Sequence, residues 1–245
     1  MKNILLVVGI LVMLTAAHFV FGQVAEGVID YEVKVNMHRR LTPEQASMKE
    51  MTPEFNTFRD QLFFNEKESL YKSVEEDEDE FEQNSGGMRI HVKRPNIQTY
   101  FDYVQSRKIM LQEFMGKQYL IEDSIKIAPW KLGVETKAIL GYQCRQASYF
   151  NNERKATIVA WYTDQLRAFR GPEGFNSLPG TVLQVDINNG ERTITAQKIE
   201  PRALKKSEMK VPSGGQRMTS EEFNKMQEAQ MEKMRANGAN VIIRH

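Results

Sequence analysis

The feature that most constrains this chain is a succession of short runs in which apolar and polar residues alternate, each closed by a turn signal. The clearest pair, residues 181–187 and 191–199, faces itself across Asn188-Asn189-Gly190, side chains that accept the backbone a tight hairpin needs. Period-two alternation puts one set of side chains on a dry face and the other on a wet one. The pattern opens with Ile29, Tyr31, Val33, Val35 and Met37 alternating with Asp30, Glu32, Lys34 and Asn36. It continues over 58–64 and 69–74, over Met88, Ile90 and Val92, and over Thr99, Phe101 and Tyr103. Runs 109–115 and 117–122 flank Gly116; 125–127, 135–140, 142–150 and 154–162 complete the series. About ten strands at this spacing predict a large antiparallel sheet.

Helix signals are few. Thr42-Pro43 and Thr52-Pro53 each put a capping threonine before proline, predicting short helices near 43–50 and 53–58. Thr219 and Glu222 form a capping box ahead of Phe223, Met226, Met231 and Met234, with Asn237-Gly238 as the stop. Residues 241–243 suit a short terminal strand. The expected fold is therefore α+β and β-dominated: a large, curved, half-barrel-like antiparallel sheet with short N-terminal helices and a C-terminal helix.

Met1-Lys2-Asn3 precedes an apolar run over 4–21, the pattern of a secretory signal peptide over 1–22, cleaved before Gln23. An uncleaved anchor is the alternative reading of that run. The organisation expected is this signal peptide, a β-rich domain over 23–203, and a linker with helix and short strand over 204–245. Lys+Arg 33 against Asp+Glu 32 leaves no basic excess, so nucleic acid is not an expected partner. The single cysteine, Cys144, permits no intrachain disulfide and reads as a buried small hydrophobe.

Residues 75–82 are acidic except Phe81, within a segment 75–87 that ends in Ser85-Gly86-Gly87. Like charges repel and stay solvated. The run lacks the ordered spacing and distant glutamate of a calcium loop, so no metal site is assigned. His38 and His91 are isolated, and no nucleophile elbow, zinc-protease helix or phosphate loop occurs. A triad assembled in space remains open; with no positive motif, the expectation is a non-enzymatic protein without cofactor. Thirteen methionines, with Met209, Met218, Met226, Met231 and Met234 toward the C-terminus, offer soft ligands for Cu(I), but the same spacing serves an apolar helix face.

The stretch 161–180 joins two strands through Gly171-Pro172 and Pro179-Gly180, a long and stiffened connection. Trp130, Tyr142, Trp161, Tyr162, Phe175 and Leu178 fall around it. They read either as a core that fastens the loop to the sheet or as a concave apolar pocket for a hydrophobic or lipid-like ligand.

Gly141-Tyr142-x-Cys144, Trp161-Tyr162, Gly171-Pro172 and Leu178-Pro179-Gly180 resemble the GLPGLI family of exported bacterial envelope proteins. Ser177 stands for the first glycine of that signature, and Thr181-Val182 for its final Leu-Ile. The resemblance implies a periplasmic or outer-membrane-associated protein of Gram-negative type, peripheral to the membrane at most, and carries over no catalytic residue. Together these readings lead to the expectation of a non-enzymatic envelope protein binding a hydrophobic or lipid-like small molecule. The alternatives are a protein–protein interaction module of the envelope and, more weakly, copper binding by the methionine-rich tail.

Overall fold

The computed structural model describes residues 25–74 and 96–236. The signal peptide expected over 1–22, the acidic segment 75–87, and the strands expected over 88–92 and 241–243 lie outside the described residues. Twelve strands form one open sheet: β1 (Gly27–Asn36), β2 (Phe55–Phe64), β3 (Glu68–Ser73), β4 (Ile97–Asp102), β5 (Arg107–Phe114), β6 (Lys117–Ser124), β7 (Lys131–Ile139), β8 (Tyr142–Asn151), β9 (Ala156–Thr163), β10 (Thr181–Ile187), β11 (Arg192–Pro201) and β12 (Gln216–Met218). Their order is β12-β6-β5-β4-β3-β2-β1-β11-β10-β9-β8-β7. Each neighbouring pair is antiparallel except β12, which joins β6 in parallel. This is the β-dominated architecture expected, with, among the described residues, one α-helix, α1 (Ser220–Ala236), and short 3-10 turns at His38–Arg40 and Pro43–Met51.

β1 sits at the centre and pairs with β2 on one side and β11 on the other, so the two meanders meet on the first strand. Its alternation sorts the layers. Ile29, Tyr31, Val33 and Val35 enter the main core, with Leu62 and Phe64 of β2, Ile158, Ala160 and Tyr162 of β9, Val185 of β10 and Ile194 of β11. We call this the inner face. Val28, Phe63, Leu70, Tyr100, Ile109 and Leu120 point the other way, where Leu204 and Met209 cover them. Register irregularities between Asp30 and Tyr31, Val182 and Gln184, and Leu132 and Thr136 bend the sheet, as bulges do.

Helix α1 caps the inner face beyond β5 and β6. Phe223 packs edge-on against Tyr119 and Phe114, with Met110, Met218 and Met226 beside it. The capping box forms: Glu222 N–H donates to Thr219 Oγ1 at 3.2 Å, and Thr219 N–H to Glu222 Oε2 at 2.7 Å. Ser220 N–H also donates to Asp123 of β6 at 3.1 Å, tying the helix start to the sheet.

Three local expectations are corrected. Residues 53–58 do not form a helix: β2 starts at Phe55 and pairs along all of β1, and Thr52, which precedes proline, is extended at φ −110° and ψ 125°. Long-range pairing and the restriction before proline override the capping signal. The run 125–127 lies beyond β6, which ends at Ser124. Residues 216–218, read as linker, form β12; the chain there approaches β6 so closely that a Cβ at Gly215 would lie 2.7 Å from the Gln118 carbonyl oxygen.

Candidate functional site

The loop 164–180 crosses the inner face and is fastened by apolar and polar anchors. Leu166, Phe175 and Leu178 are buried in the main core. Its own backbone folds back: Phe169 N–H donates to the Leu178 carbonyl at 3.1 Å, Phe175 N–H to that of Pro172 at 2.8 Å, and Val182 N–H to that of Arg170 at 2.8 Å. Gly180 is obligatory by contact, since a Cβ there would sit 2.2 Å from the Thr163 carbonyl oxygen. Ser177 Oγ accepts from Ala128 N–H and Trp130 Nε1, both at 3.1 Å, so the hydroxyl in place of the signature's glycine ties down the approach to β7.

Two clusters of charged and polar groups lie beneath the loop. In one, Arg192 of β11 and Glu173 of the loop form a two-bond pair, with Nη1 to Oε2 at 2.7 Å and Nη2 bonded to Oε1. Beside them the Tyr71 hydroxyl donates to Asp60 Oδ2 at 2.5 Å. Inner-face register accounts for the convergence: Asp60 is opposite Tyr31, and Arg192 opposite Val35. Burial, and then the Glu173 and Asp60 charges, hold the Tyr71 phenol well above its ordinary value, so it stays a donor. Burial works against the Arg192 charge, but the Glu173 carboxylate outweighs it and raises the guanidinium above its ordinary range. The arrangement is therefore a fixed cation on a carboxylate beside a phenol on a second carboxylate.

In the other cluster, Arg170 is 2 % exposed and stacks over the Tyr103 ring, 3.9 Å from its centroid. Its Nη2 donates to the carbonyls of Asn65 at 2.7 Å and Glu66 at 3.2 Å, joining the loop to the β2–β3 turn. Tyr103 Oη meets Ser69 Oγ at 2.9 Å and accepts from Asn176 Nδ2 at 3.2 Å. Burial lowers the Arg170 guanidinium from its usual value, yet carbonyl dipoles and the ring face keep it charged.

The residues grouped from the sequence divide between two faces. Tyr162, Phe175 and Leu178 are buried together on the inner side, and Trp130 stacks edge-on against Tyr149 with centroids 4.6 Å apart. Trp161 lies opposite Gln146 and Gln184, on the alternate side of β9 from Tyr162; it is half-buried and also packs against residues of the main core. Tyr142 of β8 is half-buried and packs against the main core, of which Cys144 is a member. Cys144 is fully buried, and burial pushes its thiol up to about 11. Among the described residues, no group of three or more His, Cys, Asp and Glu side chains could hold a metal ion. His38 Nε2 is engaged with the Thr52 carbonyl at 2.7 Å. Met209, Met218 and Met226 are packing residues. Asp60, Tyr71, Glu173 and Arg192 were invisible as a set, because their proximity depends on strand register and the loop's path; two charged residues at inward positions, Asp60 and Arg192, were the available signal.

Residues 62–224 match the family described as N-glycanase peptide, N-terminal domain. The chain belongs to this family. Among curated proteins none is similar to it in sequence. Solved structures of PNGF-II in space groups P21 and C2 superpose with TM-scores of 0.56 and 0.55, each at 16% identity over 82% of this chain. The chain spans about a third of those proteins, 33% and 32% of their length.

This membership corrects the GLPGLI resemblance. Leu178 is buried in the main core and Gly180 meets a close approach to the Thr163 carbonyl, so these two motif positions serve loop geometry here. The expectation of a non-enzymatic envelope protein, whether lipid-binding, an interaction module or copper-binding, is overturned by the same match: the family is that of a domain of N-glycanases. Of the residues grouped around the loop, Tyr162, Phe175 and Leu178 belong to the main core, and Trp130, Tyr142 and Trp161 pack against it.

Proposed function

We propose that the protein acts in the removal of asparagine-linked glycans, as the N-terminal domain of an N-glycanase-type protein, and that it engages the glycosylated substrate. The observation that carries this reading is the family match over 62–224, well over half of the chain. The shared sheet supports it. The clusters beneath the loop support a recognition role for this domain, because their carboxylates are already engaged with Arg192 and Tyr71 and hold the loop in place. The apolar run over 4–21 fits export to the periplasm or outer membrane, where glycoprotein substrates would be met. The test is binding of the full protein to a soluble N-glycoprotein, before and after enzymatic removal of its glycans, together with mass spectrometry for Asn-to-Asp conversion at the glycosylation sites. Binding that depends on the glycan is expected. Equal binding to both forms, or none to either, with no conversion, refutes the reading.

A further inference from the structure

The outer face is divided. Its β2–β6 half is covered by Leu204 and Met209; the β7–β10 half carries a half-buried tryptophan among amides. Trp161 of β9 is flanked in register by Gln146 of β8 and Gln184 of β10. Gln146 Nε2 donates to Glu135 Oε2 at 2.9 Å, and Gln184 Nε2 to Thr195 Oγ1 at 3.1 Å. The Lys137 ammonium lies 4.1 Å from the centroid of the Trp161 ring and also bonds Gln184 Oε1. On edge strand β7, a Cβ at Gly133 would lie 3.0 Å from Gln146 Oε1 and 3.4 Å from its Cβ, so glycine gives that side chain room.

Water-facing positions of a sheet need only be polar. A broad indole with a planar amide on each side exceeds that need. It matches the chemistry of a sugar ring, whose C–H face packs on an aromatic surface while neighbouring hydroxyls exchange hydrogen bonds with groups that both donate and accept. A flexible lysine over the indole can swing from ring to hydroxyl as a ligand arrives.

We infer that Trp161, Gln146, Gln184 and Lys137 form a binding site for the carbohydrate of an N-linked glycan, with Trp161 as the platform. This rests on the reading of the protein as an N-glycanase domain and assigns the glycan contact within it to the outer face, away from the loop.

Trp130 and Trp161 are the two tryptophans of the chain, so Trp130→Phe leaves the indole of the site as the sole reporter. Titrating that variant with the free trimannosyl-chitobiose core should shift or quench its emission saturably. Gln146→Ala and Gln184→Ala, added singly, should each weaken binding about tenfold with unchanged thermal midpoint. No change in Trp161 emission at millimolar glycan, or affinity untouched by both glutamine variants, overturns the site. If the full protein still binds glycoprotein in a glycan-dependent way in those cases, only this assignment fails. Loss of glycan-dependent binding in the unaltered protein instead removes the functional reading itself.

Discussion

Leu178→Ala tests whether the loop 164–180 is a structural lock. Leu178 is 1 % exposed and belongs to the main core, so truncation loses the transfer energy of the removed carbons and leaves a void. Leu-to-Ala changes at such sites cost about 2.7 to 5 kcal/mol, the upper values applying where the surroundings cannot collapse. Here collapse is restricted on both sides. The Leu178 carbonyl is held by Phe169 N–H, Ser177 is held by Trp130 and Ala128, and Gly180 lies against the Thr163 carbonyl. The expected loss is about 3–4 kcal/mol, or roughly 6–16 °C in midpoint for a chain of this size. Urea unfolding followed by tryptophan emission reads it well, because Trp130 bonds the neighbouring Ser177. Leu178→Met, which keeps the volume, should cost less than about 1.5 kcal/mol. A loss below about 1 kcal/mol for Leu178→Ala at an unchanged denaturant slope would refute the lock.

Three further outcomes follow from the same geometry. Arg192→Leu leaves Glu173 facing Asp60 and Tyr71 without the guanidinium; the pair is part-buried, and the change should cost about 1–3 kcal/mol, measured by the same unfolding assay. Glu208 accepts from Arg202 Nη1 at 2.9 Å and from Lys205 N–H at 2.8 Å; the Arg202 contact first, then that of Lys205, hold its carboxyl down to about 2. Because its folded value is depressed, the stability it contributes is present above the ordinary value of 4.5 and is lost as pH falls toward 2. Hydrogen exchange at 202–209 should therefore quicken across that window in the unaltered protein and show no such step in Glu208→Gln. The buried Cys144 thiol, raised to about 11, should resist DTNB at pH 8 in the native protein and react at once in denaturant.

The sheet was legible because alternation and turn chemistry are local. Asn188, Asn189 and Gly190 all take positive φ, at 53°, 52° and 88°, as an Asn-Asn-Gly hairpin requires. Residues 53–58 were misread where a local signal met a non-local one, since Thr52-Pro53 could not reveal that Phe55 would pair with Asn36. β12 was hidden for the same reason: three residues beside two glycines have no pattern, and only β6 makes them a strand. The buried clusters were less legible still. Arg170 reaches Asn65 and Glu66 across about a hundred residues of sequence, a pairing that no spacing rule encodes. Trp161 and Tyr162 are adjacent aromatics grouped at one loop in the sequence; in a strand, neighbours point to opposite faces, which buries Tyr162 in the core and leaves Trp161 half-buried on the alternate side.

That separation bears on where recognition can occur. For the loop to open as a lid, the Arg192–Glu173 pair, the Arg170 contacts to Asn65 and Glu66, and the burial of Leu166, Phe175 and Leu178 would have to be lost together. Breaking the part-buried ion pair costs about 1–3 kcal/mol, and the three apolar side chains add about 1.5–3 kcal/mol each, which together hold an open state far below roughly one per cent. A ligand that needed the inner face would have to supply that difference before binding at all. The outer face demands that Lys137 leave the Trp161 ring and its bond to Gln184 Oε1, half-buried contacts worth about 1–3 kcal/mol together. Glycan binding that weakens about tenfold with Gln184→Ala at an unchanged thermal midpoint would fit that balance, whereas binding abolished only by loosening the loop, as in Leu178→Ala, would place recognition on the inner face.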